Sequence, residues 1–286
     1  MSATLPPPEQ RYFIDPENAA EMARLTHQDR LVTQAMGGLF PERSDLSSVR
    51  DVLAIACGPG EWPLSVAAAY PHAHVVGIDI SSLMIAYAAM QAQVRQVDNV
   101  TFSVMDALHP LDFPAHTFDL INARFIFGFM SPAAWPTLLE ECMRIARPGG
   151  TLRLTESEWN LTTSLAYETL HAFTTQALKK AGRSFSPDGR NIGITPMLGS
   201  FLQRAGCTHI RQAAFAQDLS AGTEANQTLY QNLMAFFKLV EPFVLGMGIT
   251  TQMEFDTQYA RMLEEISSPS FRAISFILTV WGQTPS

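Results

Sequence analysis

Three features in the N-terminal half stand in an order that suits an adenosine-bearing ligand. Gly58 and Gly60 flank Pro59 directly after the apolar run 52–56, and residues without a side chain let the backbone approach a ligand closely. Asp79 closes the run Val75-Val76-Gly77-Ile78, 21 residues beyond Gly58, close to the separation expected of an acid that binds a ribose diol. Asp106 closes a third apolar run, 100–105, where a carboxylate can accept from the adenine amino group. Alone, a glycine pair is usually a turn, and an Asp after a strand is usually a helix cap. A strand, a glycine loop and two acids at successive strand ends, in this order, favour the ligand reading. A second set of residues suits proton transfer: Glu156, Glu158, His171 and His27 are the candidates for a general base. Against each stands a plainer role, a solvated or ion-paired glutamate and a surface or core histidine.

For these residues to meet, each must sit at the end of a parallel strand. Short apolar runs at 52–56, 75–80, 100–105, 118–123 and 151–155 read as strands. Helical spacing between them falls near 62–69, at 82–94, and after Ser131-Pro132, where Trp135, Leu138, Leu139, Cys142 and Ile145 share one side. Farther on, 160–182, 225–241 and 251–267 read as helices, and a further helix begins at Thr195-Pro196 and ends at Gly206. Strands at 209–219 and 271–281 complete an α/β fold, a seven-stranded, mostly parallel, doubly wound sheet with a helical cap. An N-terminal helix starts with Asp15 as cap and Pro16 in its first turn and stops at Gly37-Gly38. The organisation expected is a closing helical segment (1–48), a ligand-binding core (49–157), a helical insertion (158–194), a core helix and strand (195–221), a helical cap (222–269) and a final strand (270–286). Residues 1–10 are proline-rich and read as loosely attached.

The chain has 286 residues, 47% hydrophobic and only 16% charged, enough apolar material for one large domain. A net charge of −8 argues against a nucleic-acid footprint, and no basic cluster offsets it. Cys57, Cys142 and Cys207 are far apart, so neither a metal site nor a disulfide framework is indicated. The first residues lack the basic and apolar regions of a secretory signal, and no apolar run approaches the roughly 20 residues of a membrane span. A cytoplasmic protein without a membrane partner is expected, and a homodimer is compatible with this reading. Thirteen Met and 18 Phe suit a surface for apolar ligands, though core filling explains them as well.

Residues 50–157 resemble the class I, Rossmann-like S-adenosylmethionine (SAM)-dependent methyltransferases, especially the small-molecule branch that includes ubiquinone/menaquinone-type enzymes. The resemblance rests on Val-Leu-Ala-Ile-Ala-Cys-Gly-Pro-Gly-Glu (52–61), Val-Val-Gly-Ile-Asp-Ile-Ser (75–81), Val-Met-Asp-Ala-Leu (104–108), Phe-Asp-Leu-Ile-Asn-Ala-Arg (118–124) and Arg-Pro-Gly-Gly (147–150). It implies SAM as cofactor, S-adenosylhomocysteine as product and a small, apolar organic acceptor. Ala56, Gly58 and Gly60 would line the methionine portion, and Asp79 would hold the ribose hydroxyls. Ile80 and Met84 would border the adenine, and Asp106 and Ala107 would meet its edge. Asn122 and Arg124 would lie beside the methionine portion and the acceptor. Tyr12, Arg30, Met36 and Gly37 are candidates for closing over the cofactor.

The chain departs from the family pattern at Ala54, where an acid is usual, and at Ala56, where a glycine is usual. Glu61 is a candidate to supply the missing carboxylate. A nicotinamide-dependent oxidoreductase would want a third glycine where Pro63 stands. Asn122-Ala123-Arg124-Phe125 lacks the Asn-Pro-Pro-aromatic run of exocyclic-amine nucleic acid methyltransferases, and there is no Pro-Cys nucleophile of the cytosine-C5 type. The alternative kept open is a SAM-binding protein of the same fold that does not methylate.

Overall fold

The computed structural model describes residues 12–43 and 45–286; the proline-rich residues 1–10 lie outside them. Eight strands form one sheet: β1 (Asp51–Ile55), β2 (His74–Asp79), β3 (Val100–Val104), β4 (Phe118–Arg124), β5 (Ala146–Ser157), β6 (Leu161–Thr162), β7 (Thr208–Asp218) and β8 (Ala273–Gln283). Their order is β3-β2-β1-β4-β5-β8-β6, with β7 also paired to β8. The first five strands are parallel, and β8 is antiparallel to β5, β6 and β7. The seven expected strands are all present. The eighth, β6, is a two-residue continuation on the edge of β8 that β5 also uses, since Ile274 pairs with Leu161 on one side and Asp218 on the other.

The central strands have apolar side chains on both faces because helices cover both, as parallel sheets require. On one face Leu53, Ile55 and Ile121 pack against Trp135 and Leu138 of α4 (Ala134–Ile145) and Leu202 of α6 (Leu198–Ala205). On the other, Val52, Ala54, Val75 and Leu120 pack against Trp62 and Val66 of α2 (Glu61–Ala69) and Ala92 of α3 (Ser82–Val94). A separate apolar cluster joins Phe13 and Ile14 to α5 (Leu165–Lys180), α7 (Glu224–Gly246) and α8 (Gln252–Ile266), forming the cap.

Several boundaries differ from the sequence reading: β5 begins at Ala146 rather than 151, β6 takes the start of the helix expected from 160, and α5 begins only at Leu165; two further differences have a clear physical cause. The N-terminal helix, α1 (Ala19–Ala35), is capped by Asn18, whose side chain accepts from Ala20 N at 2.8 Å. Asp15 instead accepts from Glu17 N, and Glu17 reaches across to accept from the N–H groups of Ser82 (2.8 Å) and Leu83 (3.1 Å) at the start of α3. Local cap preference is satisfied twice within four residues, and the long-range contact selects between the two. Helix α7 continues through Pro242 to Gly246, past the expected stop at 241. Burial of Val240 and Val244 on either side of the proline offsets its missing N–H.

Candidate active site

Register decides which side chains reach the carboxyl rim of the sheet. Ile55 pairs with Ile78 and Ala123, Asp79 with Val104, and Arg124 with Thr155. At and just beyond these positions, Ala56, Asp79, Met105 and Arg124 border a cavity of about 560 Å³. The cavity lies where the chain runs from β1 to β2 in one direction and β4 lies on the other side, the switch point at which open α/β sheets hold ligands.

The loop after β1 turns sharply. Ala56 and Gly58 both have left-handed backbone, with φ of +50° and +53°. Gly58 N–H donates to Asp79 Oδ2 at 2.8 Å and Ser81 N–H to Oδ1 at 3.0 Å, so the carboxylate is held at the cavity wall with lone pairs left over for ligand hydroxyls. Burial lifts the Asp79 carboxyl above its usual range, and the N–H groups of Ser81, Gly58 and Ile80 oppose the shift. Ile80, Met84, Asp106 and Ala107 complete this end of the cavity. Asp106 accepts from Leu108 N–H, and its other oxygen lies 2.9 Å from His109 Nδ1. An oriented acid, apolar side chains beside it and glycine backbone at the strand end together fit an adenosyl group.

Other expected cofactor residues divide by position. Asn122, Arg124 and Tyr12 line the cavity; Gly60, Arg30, Met36 and Gly37 do not. Gly60 is needed for packing, because a Cβ there would lie 2.6 Å from Ala88 Cβ and 2.9 Å from Phe102 Cε1. Met36 is buried against Val32 and Ile277, and Gly37 (φ +82°) is in the turn ending α1. Arg30 is exposed and pairs with Glu61 at 2.9 Å. Glu61 is further held by Arg95 at 2.7 Å and lies off the cavity, so it does not replace the acid missing at Ala54.

A second cavity, of about 180 Å³, lies between α1, α5, α7 and the ends of β5 and β8. It shares Tyr12, Phe13, Leu25, Gln28 and Phe125 with the first. Its wall is aromatic: Phe127, Trp159, Tyr167, His171 and Phe236. His171 is 5% exposed and stacks on Trp159 with centroids 4.5 Å apart and planes 14° apart. Burial drives its pKa down to about 3, which keeps the imidazole neutral.

Of the four candidate bases, the structure brings His171 and Glu158 to this cavity. Glu158 accepts from Gly193 N, Thr195 N and Thr195 Oγ1 at 2.9–3.1 Å, anchoring the loop before α6. Glu156 lines neither cavity; one carboxyl oxygen accepts from Ile126 N and Phe127 N at 2.8 and 3.2 Å, and burial raises its pKa well above the usual range. His27 is exposed on α1 and lines neither cavity. Sequence reasoning missed Leu25, Gln28 and Asp29 of α1, together with Trp62, Phe125 and Trp159. The first three have the spacing of one helix face, a signal present but indistinguishable from a half-exposed surface stripe.

Among the described residues no group of three or more His, Cys, Asp or Glu is arranged to hold a metal, and no helix is long and apolar enough to cross a membrane.

With this geometry in hand, the chain can be set beside known proteins. Residues 52–150 match a family model described as a methyltransferase domain. The chain is similar to a demethylmenaquinone methyltransferase of Geobacillus sp. (strain WCH70), 29% identical over 110 residues, which is 38% of this chain and 46% of that protein. It spans about half the length of the curated relatives it matches. Its fold is similar to the Bacillus YcgJ protein, with TM-score 0.55 and 16% identity over 88% of this chain and 99% of that one. It is also similar to phosphoethanolamine N-methyltransferase 2 of Haemonchus contortus, whose structure holds SAM, with TM-score 0.54 and 16% identity over 88% of this chain and 52% of that one. Residues 52–150 thus match a methyltransferase domain, and the fold is shared with the two structures named.

Proposed function

We propose, from the premise that residues 52–150 are a methyltransferase domain, that the chain transfers a methyl group from SAM to a small, apolar organic acceptor in the cytoplasm. The observation that carries the reading is the junction of two cavities, one at the sheet rim bordered by the oriented acid Asp79 and one bordered by aromatic rings under the cap, through five shared residues. The cofactor supplies an electrophilic methyl group on sulfur. Asp79 holds the ribose hydroxyls, Asp106 and Ala107 meet the adenine edge, and Ile80 and Met84 flank the ring. The Gly58 backbone and Asn122 border the methionine portion. Tyr12, Phe13, Leu25, Gln28 and Phe125 stand where donor and acceptor would face each other, and their side chains exclude water from the transfer. An in-line displacement of this kind gains mostly from positioning and desolvation.

His171, neutral and stacked on Trp159, orients an acceptor by hydrogen bonding and is too weak a base to deprotonate one. The site therefore suits a neutral amine, an electron-rich carbon, or an acceptor that arrives already ionised. The likeness to a demethylmenaquinone methyltransferase supports a small organic acceptor, and the net charge of −8 disfavours nucleic acid. Calorimetric titration with SAM tests the cofactor: no heat from the folded protein would sink the reading. A panel of small apolar amines, phenols and quinols, assayed for S-adenosylhomocysteine release and methylated product, tests the transfer. SAM binding without product from any acceptor would make the chain a non-methylating SAM protein.

A further inference from the structure

Charged side chains are uncommon in ligand cavities with apolar walls, and the first cavity holds one ion pair at the end away from Asp79. Asp29, from α1, and Arg124, the last residue of β4, both line it and are paired, with side-chain exposures of 20% and 8%. Thr33 Oγ1, one turn farther along α1, accepts from Arg124 Nη1 at 3.2 Å. Sheet order separates this pair from the nucleoside end: Asp79 and Asp106 follow β2 and β3, whereas Arg124 is across β1 on β4. Between them the lining is Ala54, Ala56, Trp62 and Asn122.

The neighbouring ionic contacts are closed within the protein. Arg153 donates to Asn122 Oδ1 at 2.8 Å and pairs with Glu42 at 2.5 Å, both ions almost fully buried. Asp29 and Arg124 keep hydrogen-bonding positions that these contacts do not use, and both stand at the cavity wall. The Arg124 guanidinium lies 5.8 Å from the Trp62 ring centroid, and the buried Trp62 indole N–H has no partner among the described residues.

A carboxylate beside a guanidinium is the complement of an α-amino acid zwitterion, which presents an ammonium and a carboxylate on one carbon. We infer that Asp29 binds the α-ammonium and Arg124 the α-carboxylate of the cofactor's methionine portion, so that α1 closes the site with a charge of its own. This assignment rests on the SAM reading above. It gives Asp29 a binding role and makes the N-terminal helix part of the cofactor site.

The test compares two ligands that share adenosine and sulfur. S-adenosylhomocysteine carries the amino acid group; methylthioadenosine lacks it. In calorimetric titration, Asp29→Asn should weaken S-adenosylhomocysteine about ten- to hundredfold, the loss expected of a charge-assisted hydrogen bond, and change methylthioadenosine less than about twofold. Arg124→Gln should give the same signature. Unchanged S-adenosylhomocysteine affinity in folded Asp29→Asn overturns the assignment and moves the pair to the acceptor. An equal loss of both ligands also overturns it, since the residue would then shape the cavity without touching the amino acid group. Wild-type protein that binds neither ligand fails the SAM reading itself, a result distinct from either of these.

Discussion

The two joined cavities are built in opposite ways. The rim cavity takes Asp79, Asp106, Asn122 and Arg124 from successive strand ends, and backbone N–H groups already hold the acid that matters most there, Asp79. The cap cavity is assembled from residues scattered between Tyr12 and Ile277, and a cluster of side-chain rings that includes Phe127, Trp159, Tyr167, His171 and Phe236 forms part of its wall. One is a backbone device and the other a packing device. The rim should therefore tolerate changes in apolar volume and fail when a hydrogen bond is removed, whereas the cap should behave the other way round.

The largest effect is expected in the cap. Phe237 is fully buried on α7 against Tyr167, His171 and Phe236. Phe237→Ala should cost about 3–5 kcal/mol in chemical denaturation. Hydrogen exchange should then rise in α5, α7 and α8 while β1–β4 stay protected; loss of protection in both regions together would show that the two cavities belong to one cooperative unit. At the rim, Asp79→Ala should weaken SAM binding by about 1.4–2.7 kcal/mol in calorimetry, through lost charge-assisted hydrogen bonds. Full affinity in the folded variant would remove Asp79 from the ribose site.

Two buried groups, His171 at the cap cavity and Glu156 outside both cavities, respond to pH in opposite directions. His171 is neutral in the fold, with a pKa near 3 against an ordinary value of 6.5, so the unfolded chain takes up more protons between those values. Its contribution to stability is intact above pH 6.5 and is lost as pH falls towards 3, with a slope of at most about 1.4 kcal/mol per pH unit. Glu156 runs the other way. Its folded pKa is raised well above 4.5, so its contribution is intact below pH 4.5 and is lost as pH rises through the folded value. Stability curves of His171→Asn and Glu156→Gln should flatten on the acid and the alkaline side respectively; identical curves for wild type and both variants would show these groups titrating as they do in the unfolded chain.

The smallest effect is at the loop after β1. Ala56 has φ of +50°, a conformation that costs an L residue roughly 1–2 kcal/mol. Ala56→Gly should raise the unfolding free energy by about 1 kcal/mol, part of the relief being offset by the freer unfolded chain. A destabilised variant would mean that the methyl group is held by packing worth more than the strain.

Much of the rim was legible from one chain because its signals are local. An apolar run followed by glycine or Asp marks a strand end, and the parallel order of such runs implies that their ends converge. That reasoning pointed to Gly58, Asp79 and Asp106, and the family resemblance added Arg124; all four border one cavity. Gly60 lies off that cavity, and Ala88 and Phe102 from α3 and β3 take the space a Cβ would occupy, a long-range constraint that looks like a ligand glycine in sequence. Met36 and Gly37, which the family resemblance suggested, also lie off the cavity, Met36 buried against Val32 and Ile277.

The base candidates show the same division. Glu156 near the end of β5 and Glu158 just after it are two residues apart, yet one is a buried acid bound to Ile126 and Phe127 and the other an anchor for Gly193 and Thr195. Their sequence neighbourhood could not separate those roles, because the partners lie 29–37 residues away.

By itself, the order of apolar runs, glycines and acids determined an α/β sheet and the ligand-facing ends of its first four strands, since each depends on backbone periodicity and on turns within a few residues. Tertiary structure alone decided that Asp29 meets Arg124, that Glu61 turns away to Arg30 and Arg95, and that His171 is stacked and neutral. Charge pairing and desolvation depend on which distant side chains share a volume, and that is settled only when the helices pack.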